Sequence, residues 1–175
     1  MTERELQQAM QQAFDQARIH LQRARRVQVH LPREQVLPAL AYLKSLGFGH
    51  LSAISCVDWI QENAFELVYH LWSYEHRIHV MVKTRLPRDQ AEMPTARSIF
   101  RVAQTYERDI HEMFGVHFPG NPRLVPFVLE DWQGPPPLRK DFDTRKYAEE
   151  VYGMRNLETR LFTRLEQPYK GFRKK

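Results

Sequence analysis

The sequence predicts an α+β fold, with an antiparallel-rich sheet, helices packed on one face, and an extended proline-rich C-terminal arm. Three observations predict it. Apolar residues recur at three- and four-residue steps near the N-terminus and again around residue 100, the spacing of amphipathic helices. Between Leu51 and Val82 they alternate with polar residues, the spacing of half-buried strands. Beyond Gly115 the character changes, and six of the chain's 11 prolines fall between Pro119 and Pro137. With 175 residues, 42% of them hydrophobic and 11% aromatic, the chain is long and apolar enough to bury a core. The expected division is an α+β domain over 1–118, then an arm and basic tail over 119–175.

The elements follow in order. Thr2 and Glu5 make a capping box, which opens a helix carrying Leu6, Met10, Ala13, Phe14, Ala17 and Leu21 and closing near Arg23, Arg25 and Arg26. Val27, Val29 and Leu31 read as a strand. Glu34 to Leu46 reads as a second helix stopped by Gly47, with Pro38 tolerable only in its first turn. Leu51–Trp59 is a strand of mixed faces. Phe65, Leu67, Tyr69 and Leu71 form one further strand, and Ile78, Val80 and Val82 another, with hairpin joins at Gln61–Asn63 and Ser73–His76. A third helix carries Ile99, Val102, Ala103, Tyr106, Ile110 and Met113, with Gly115 as its stop. The arm is too apolar for a flexible linker, because it holds Phe118, Leu124, Phe127, Val128, Leu129, Trp132 and Leu138. Pro135, Pro136 and Pro137 force extended backbone and remove three amide donors. Such a segment lies in a groove, on its own domain or on a partner. From Thr144 onward, Tyr147, Val151, Leu157, Leu161 and Leu165 give a weak helical signal broken by Gly153.

Composition excludes several kinds of chemistry. Cys56 is the single cysteine, so the chain holds neither an internal disulfide nor a Cys-x-x-Cys pair for zinc or an iron–sulfur cluster. A lone cysteine in a strand behaves as a small buried hydrophobe. Neither Gly-x-Gly-x-x-Gly nor a Walker-type loop occurs. No apolar run approaches the ~20 residues of a membrane-spanning helix, and the charged opening does not read as a secretory signal. Glu107 and His111 share a helix face at i and i+4, but His111 and Glu112 are not set in the His-Glu-x-x-His order of a zinc protease. A helix-end charge cluster at an interface is the simpler reading. His70, His76 and His79 sit in the strand region, with His70 and Trp72 on the face opposite Phe65, Leu67, Tyr69 and Leu71; hydrogen-bonded packing accounts for them. Met1–Leu138 carries 15 basic and 15 acidic residues, whereas Arg139–Lys175 carries 11 and 6, so the net charge of +5 sits in the tail. Tyr169 to Arg173 interleaves basic and aromatic residues in a way that suits single-stranded nucleic acid, the reading of a different functional class.

The stretch from Glu107 to Asp141 carries the sharpest signal. It reads Glu107-Arg108-Asp109-Ile110-His111-Glu112-Met113-Phe114-Gly115-Val116-His117-Phe118-Pro119-Gly120-Asn121-Pro122, and later Glu130-Asp131-Trp132-Gln133-Gly134-Pro135-Pro136-Pro137-Leu138-Arg139-Lys140-Asp141-Phe142. This resembles the C subunit of respiratory complex I, the proton-pumping NADH–quinone oxidoreductase. That family reads roughly E-R-E-x-x-D-M-F-G-I-x-F-x-G-H-P, then W-x-G-H-P-L-R-K-D-Y/F. The resemblance covers about Val27 to Phe142 and includes the Val57-Asp58 pair and Val68-Tyr69-His70-Leu71. Asp109 and Glu112 exchange the usual carboxylates. Asn121 replaces a histidine, Val125 and Pro126 stand where many respiratory members carry arginines, and Pro135 and Pro136 replace Gly-His. The His111-Glu112 pair and the missing arginines are also similar to the related subunits of energy-converting hydrogenases and formate hydrogenlyases.

The resemblance implies a cofactorless structural subunit of the peripheral arm, on the cytoplasmic face of the inner membrane, touching the membrane only indirectly. Iron–sulfur clusters, FMN and quinone, or nickel–iron, would lie in partner subunits. Those partners would be the large quinone-site or hydrogenase-like subunit and the iron–sulfur subunits, with no nucleic acid. It implies no catalytic, cofactor-binding or metal-binding residue in this chain. Glu107, Arg108, Asp109, Glu112, Gly115, Gly120, Pro122, Phe127, Trp132, Leu138, Arg139, Lys140 and Asp141 are the candidate partner-interface residues, with Trp132, Phe127 and Leu138 as anchors.

Overall fold

The computed structural model describes residues 1–153. Leu157, Leu161, Leu165 and the Tyr169–Arg173 segment lie outside the described residues. Two compact units are present, Met1–Asp141 and a second beginning at Phe142. The change of composition at Pro119 falls inside the first.

Helix α1 (Glu3–Ala13) opens on the predicted capping box: Thr2 accepts from the Glu5 amide and Glu5 accepts from the Thr2 amide. It ends at Ala13, eight residues before Leu21. The reason is competition for backbone partners. Arg18–Arg23 forms β1, whose amides and carbonyls pair antiparallel with β2 (Arg26–His30) through a tight turn in which Arg25 takes φ +61°. Sheet pairing there prevails over the helical spacing of Ala17 and Leu21. Helix α2 (Arg33–Ser45) places Pro38 beyond its first turn, contrary to the sequence expectation. The lost amide bond is offset by burial of Val36, Ala39, Leu40 and Leu43.

Strands β3 (His50–Trp59), β4 (Ala64–Ser73) and β5 (Ile78–Pro87) follow as successive hairpins. The sheet order is β1-β2-β5-β4-β3. It is mixed rather than wholly antiparallel, because β2 runs parallel to β5. Register puts Val27 and Val29 beside Val80 and Val82, which pair in turn with Leu71 and Tyr69. On this face lie Leu6 and Met10 of α1, Val36, Leu40 and Leu43 of α2, and Ala103 and Ile110 of α3 (Ala103–Phe114), forming one buried cluster. All three helices therefore cover the same face, as alternation in the strands requires. In the second unit, α4 (Thr144–Tyr152) is capped by Asp143, which accepts from Arg145 and Lys146 amides, and ends at Gly153 in the left-handed conformation.

Candidate functional site: a loop clamped onto the end of helix α3

The Glu107–Asp141 motif folds as one helix and the chain that returns along it. Residues 119–141 do not project as a free arm; they are tied to α3 and to the sheet by side chains of the motif itself. Prolines remove ladder donors, so this segment meets its backbone needs through charged side chains.

Glu107 has no exposed surface. It accepts the Thr95 hydroxyl at 2.6 Å, the Ala96 amide at 2.7 Å and the Asn121 side-chain amide at 2.9 Å. Burial raises its carboxyl above the usual range, and those three donors oppose the shift. Glu107 thus binds three donors of its own chain. Asn121, itself buried, also donates to the Gln104 carbonyl and accepts the Arg123 amide. An amide at this position supplies N–H groups to a buried carboxylate, a role a histidine ring nitrogen also fills. Gly120, at φ +86°, sits where a Cβ would lie 2.9 Å from the Thr95 methyl and so push on the same cluster.

One turn along α3, Glu112 accepts three consecutive amides, from Phe127, Val128 and Leu129, at 2.9–3.0 Å. Burial alone would raise its carboxyl. The three amides, with the Arg108 charge, hold it below the usual range. Arg108 donates to the Val125 carbonyl at 2.7 Å and to the Pro126 carbonyl, and its guanidinium lies 4.8 Å from the Phe127 ring centre. The helix thus offers a cation to two loop carbonyls and an anion to three loop amides. Asp109, next to this pair, is half-buried; burial and then the Glu112 charge push its carboxyl up.

The motif's second half closes onto the sheet. Leu138 donates its amide to Met113 and Arg139 its side chain to Phe114, both carbonyls at the α3 C-terminus. Gly115 takes φ +79° there, and a Cβ would come within 2.9 Å of the Arg139 guanidinium and 3.0 Å of the Pro136 ring. Arg139 and Arg88 each lie 5.4 Å from the Phe65 ring centre, and Phe114 meets the Phe65 edge. Arg88 pairs with buried Asp58 at 2.9 Å and with Asp141 at 2.8 Å, which holds the Asp141 carboxyl low. The Lys140 amide donates to Asp58. Trp132 secures the intervening turn by donating its indole N–H to Pro135. Pro122 is exposed.

Three residues that the sequence did not assign to this site complete the clamp: Thr95, Arg88 and Phe65. Thr95 and Arg88 stand 12 and 53 residues from their partners Glu107 and Asp141, and no local spacing links them. His111 meets the Val116 carbonyl through Nδ1 and packs edgewise on His117 rather than joining Glu107. Among the described residues no three His, Cys, Asp or Glu side chains gather as a metal site. Burial, with the Asp58 charge, pushes the Cys56 thiol up to about 12, far from an activated nucleophile. No helix among the described residues is long and apolar enough to cross a membrane.

The comparisons with known proteins agree with this motif. Residues 29–148 match the family described as the respiratory-chain NADH dehydrogenase 30 kDa subunit. The C subunit of F(420)H(2) dehydrogenase from Methanosarcina mazei is 40% identical over 120 residues, covering 67% of this chain and 76% of the relative. The C subunit of NADH-quinone oxidoreductase from Moorella thermoacetica is 34% identical over 113 residues, covering 64% and 76%. Among solved structures, a chain of the membrane-bound sulfane sulfur reductase, an archaeal respiratory membrane complex, superposes with a TM-score of 0.81 at 38% identity, covering 86% of this chain and 91% of that one. The clamp of loop on helix, the sheet behind it and these matches make the chain a member of the complex I 30 kDa, or C-subunit, family of electron-transport complexes.

Proposed function

We propose that this chain is a cofactorless structural subunit of the peripheral arm of a complex I-like NADH–quinone oxidoreductase, on the cytoplasmic side of the membrane. In that role it supports electron passage from NADH through iron–sulfur centres to quinone, coupled to ion translocation. FMN, the clusters and the quinone site belong to its partners. The observation that carries this reading is the division of labour within the loop. The charges of Glu107, Arg108, Glu112, Arg139 and Asp141 bind groups within the chain, while Val125, Phe127, Val128 and Leu138 remain 44–60% exposed. An apolar row on a loop already ordered by Glu112 and Arg108 meets a partner at little entropic cost. Phe127 and Leu138 serve as its anchors, and the large quinone-site subunit and its iron–sulfur neighbours are the partners.

A second reading shares the subunit role and changes the machine. The greater identity to the F(420)H(2) dehydrogenase subunit, and the fit to the sulfane sulfur reductase chain, favour a relative with a donor other than NADH. The equivalent subunit of an energy-converting hydrogenase or formate hydrogenlyase belongs to the same alternative, with nickel–iron in the large subunit.

Affinity purification of the tagged chain from gently solubilised membranes tests both. Co-purification of a large quinone-site subunit with flavin- and cluster-bearing subunits is expected. A large subunit with Cys-x-x-Cys pairs for nickel, or a deazaflavin-oxidising subunit, would select the second reading. Recovery of the chain alone and soluble would overturn both.

A further inference from the structure

The sheet has a second face that the helices α1–α3 leave open. Alternation places Arg26 beside His79, His79 beside Trp72, and Met81 beside His70. Lys83 follows beside Val68, and Arg85 beside Glu66. Val68 and Met81 are buried yet stand outside the main core cluster, so they form a separate apolar floor. Around that floor the strands carry the cations Arg18, Arg23, Arg26, Lys83 and Arg85 and the anion Glu66, and Glu62 from the β3–β4 connection pairs with Arg85. Glu66 is buried and lies 3.7 Å from Lys83 and 4.0 Å from Arg85, so its charge is already shared. His70 and His79 stack at 5.4 Å with near-parallel rings, and Ser55 bonds the far nitrogen of His70 at 2.6 Å. The Nδ1 atom of His79 is buried without a hydrogen-bond partner among the described residues. Val57 and Trp59 lie exposed on the neighbouring strand.

We infer that this open face is a second docking surface and receives an acidic surface of a partner protein subunit. The inference rests on the proposed role as a subunit of a larger complex. An apolar floor inside a polar, charged margin is the anatomy of a protein–protein interface. The excess positive charge selects carboxylates opposite it. A second copy of the chain would set the same cations against each other. Docking has a proton signature as well. Burial, followed by Arg26 and Lys83 for His70, and by His70 and Arg26 for His79, lowers both imidazoles. Among the facing groups, His30 is lowered by burial and then Lys83, while Glu66 opposes that shift and Arg85 and Arg18 add to it. Carboxylates brought onto this face raise all three, so docking takes up protons and tightens as pH falls toward the histidine range.

Zero-length carbodiimide coupling of the purified native complex, mapped by mass spectrometry, is the direct test. A Lys83 amine joined to a carboxylate of another subunit is expected, together with at least fivefold protection of Lys83 from amine labelling relative to the isolated chain. The double variant Arg26→Glu/Lys83→Glu should leave about tenfold less chain in the complex at physiological salt. Arg26→Lys/Lys83→Arg should restore it. Lys83 equally reactive in complex and isolated chain would overturn the inference, even where the variant fails to fold. Normal assembly of the folded charge-reversal chain, with loss on Phe127→Ser/Leu138→Ser, would overturn it too and leave the subunit role standing. If the wild-type chain captures no subunits, the subunit role itself falls. Salt-sensitive binding of the isolated chain to a single-stranded oligonucleotide or to phosphatidylglycerol vesicles, abolished by Arg26→Glu/Lys83→Glu, would overturn it in favour of a phosphate partner.

Discussion

The two faces of one sheet are built from the same strands and do opposite things. On the covered face, Phe65, Leu67, Tyr69 and Leu71 are sealed under three helices. On the other, the alternate residues Glu66, His70 and Trp72 meet Arg85, Met81 and His79. The contrast extends to the two buried glutamates. Glu107, on the helix side, is satisfied by three neutral donors, whereas Glu66 sits near two cations. The covered face and its clamp determine whether the chain folds; the open face bears on what the folded chain meets.

That difference is breakable by substitution. Phe65→Ala removes a ring that packs on Phe114 and lies between Arg88 and Arg139; it should cost roughly 3–5 kcal/mol and lower the melting temperature by about 10 °C in thermal denaturation. Glu107→Ala strands the Thr95 hydroxyl, the Ala96 amide and the Asn121 amide, and should cost about 2–3 kcal/mol in urea unfolding. Gly115→Ala places a side chain in the left-handed region against Arg139 and Pro136; a loss of about 1–2 kcal/mol is expected, with faster hydrogen exchange at the Leu138 amide. On the open face, Arg26→Gln should change the isolated chain's stability by no more than about 0.5 kcal/mol. An effect above about 2 kcal/mol there would erase the distinction between the faces.

The pH dependence sharpens the same comparison. His70 and His79 are held below the ordinary value of 6.5, so the unfolded chain binds protons the folded chain refuses. Stability present above that value is lost as pH falls through it toward the folded values. Melting temperature should therefore drop between about pH 7.5 and pH 5.5. His79→Gln should flatten the drop, and a flat wild-type profile would rule out the histidine pair as its source.

The strands β3, β4 and β5 and the caps at Thr2 and Gly115 were legible because each depends on neighbours a few residues away. Strand β1 was not, since the Ala17–Leu21 spacing fits a helix as well as a strand and only the edge of β2 decides between them. The motif from Glu107 to Asp141 was visible as a pattern of residue types. Its internal wiring was not, because Thr95, Arg88, Asp58 and Phe65 reach it from distant parts of the chain.

By itself, then, the amino-acid sequence determined the fold class, the alternation that gives the sheet two unlike faces, and the family through its motif residues. Those are matters of composition, period and order along the chain. Only the tertiary structure decided that the charges of the motif turn inward to clamp residues 121–141, and that the parallel pairing of β2 with β5 sets Arg26 beside His79. The physical reason is that a charge's partner and a strand's neighbour are chosen by distance in space. A carboxylate seeks the nearest donors, and here those donors lie up to 82 residues away.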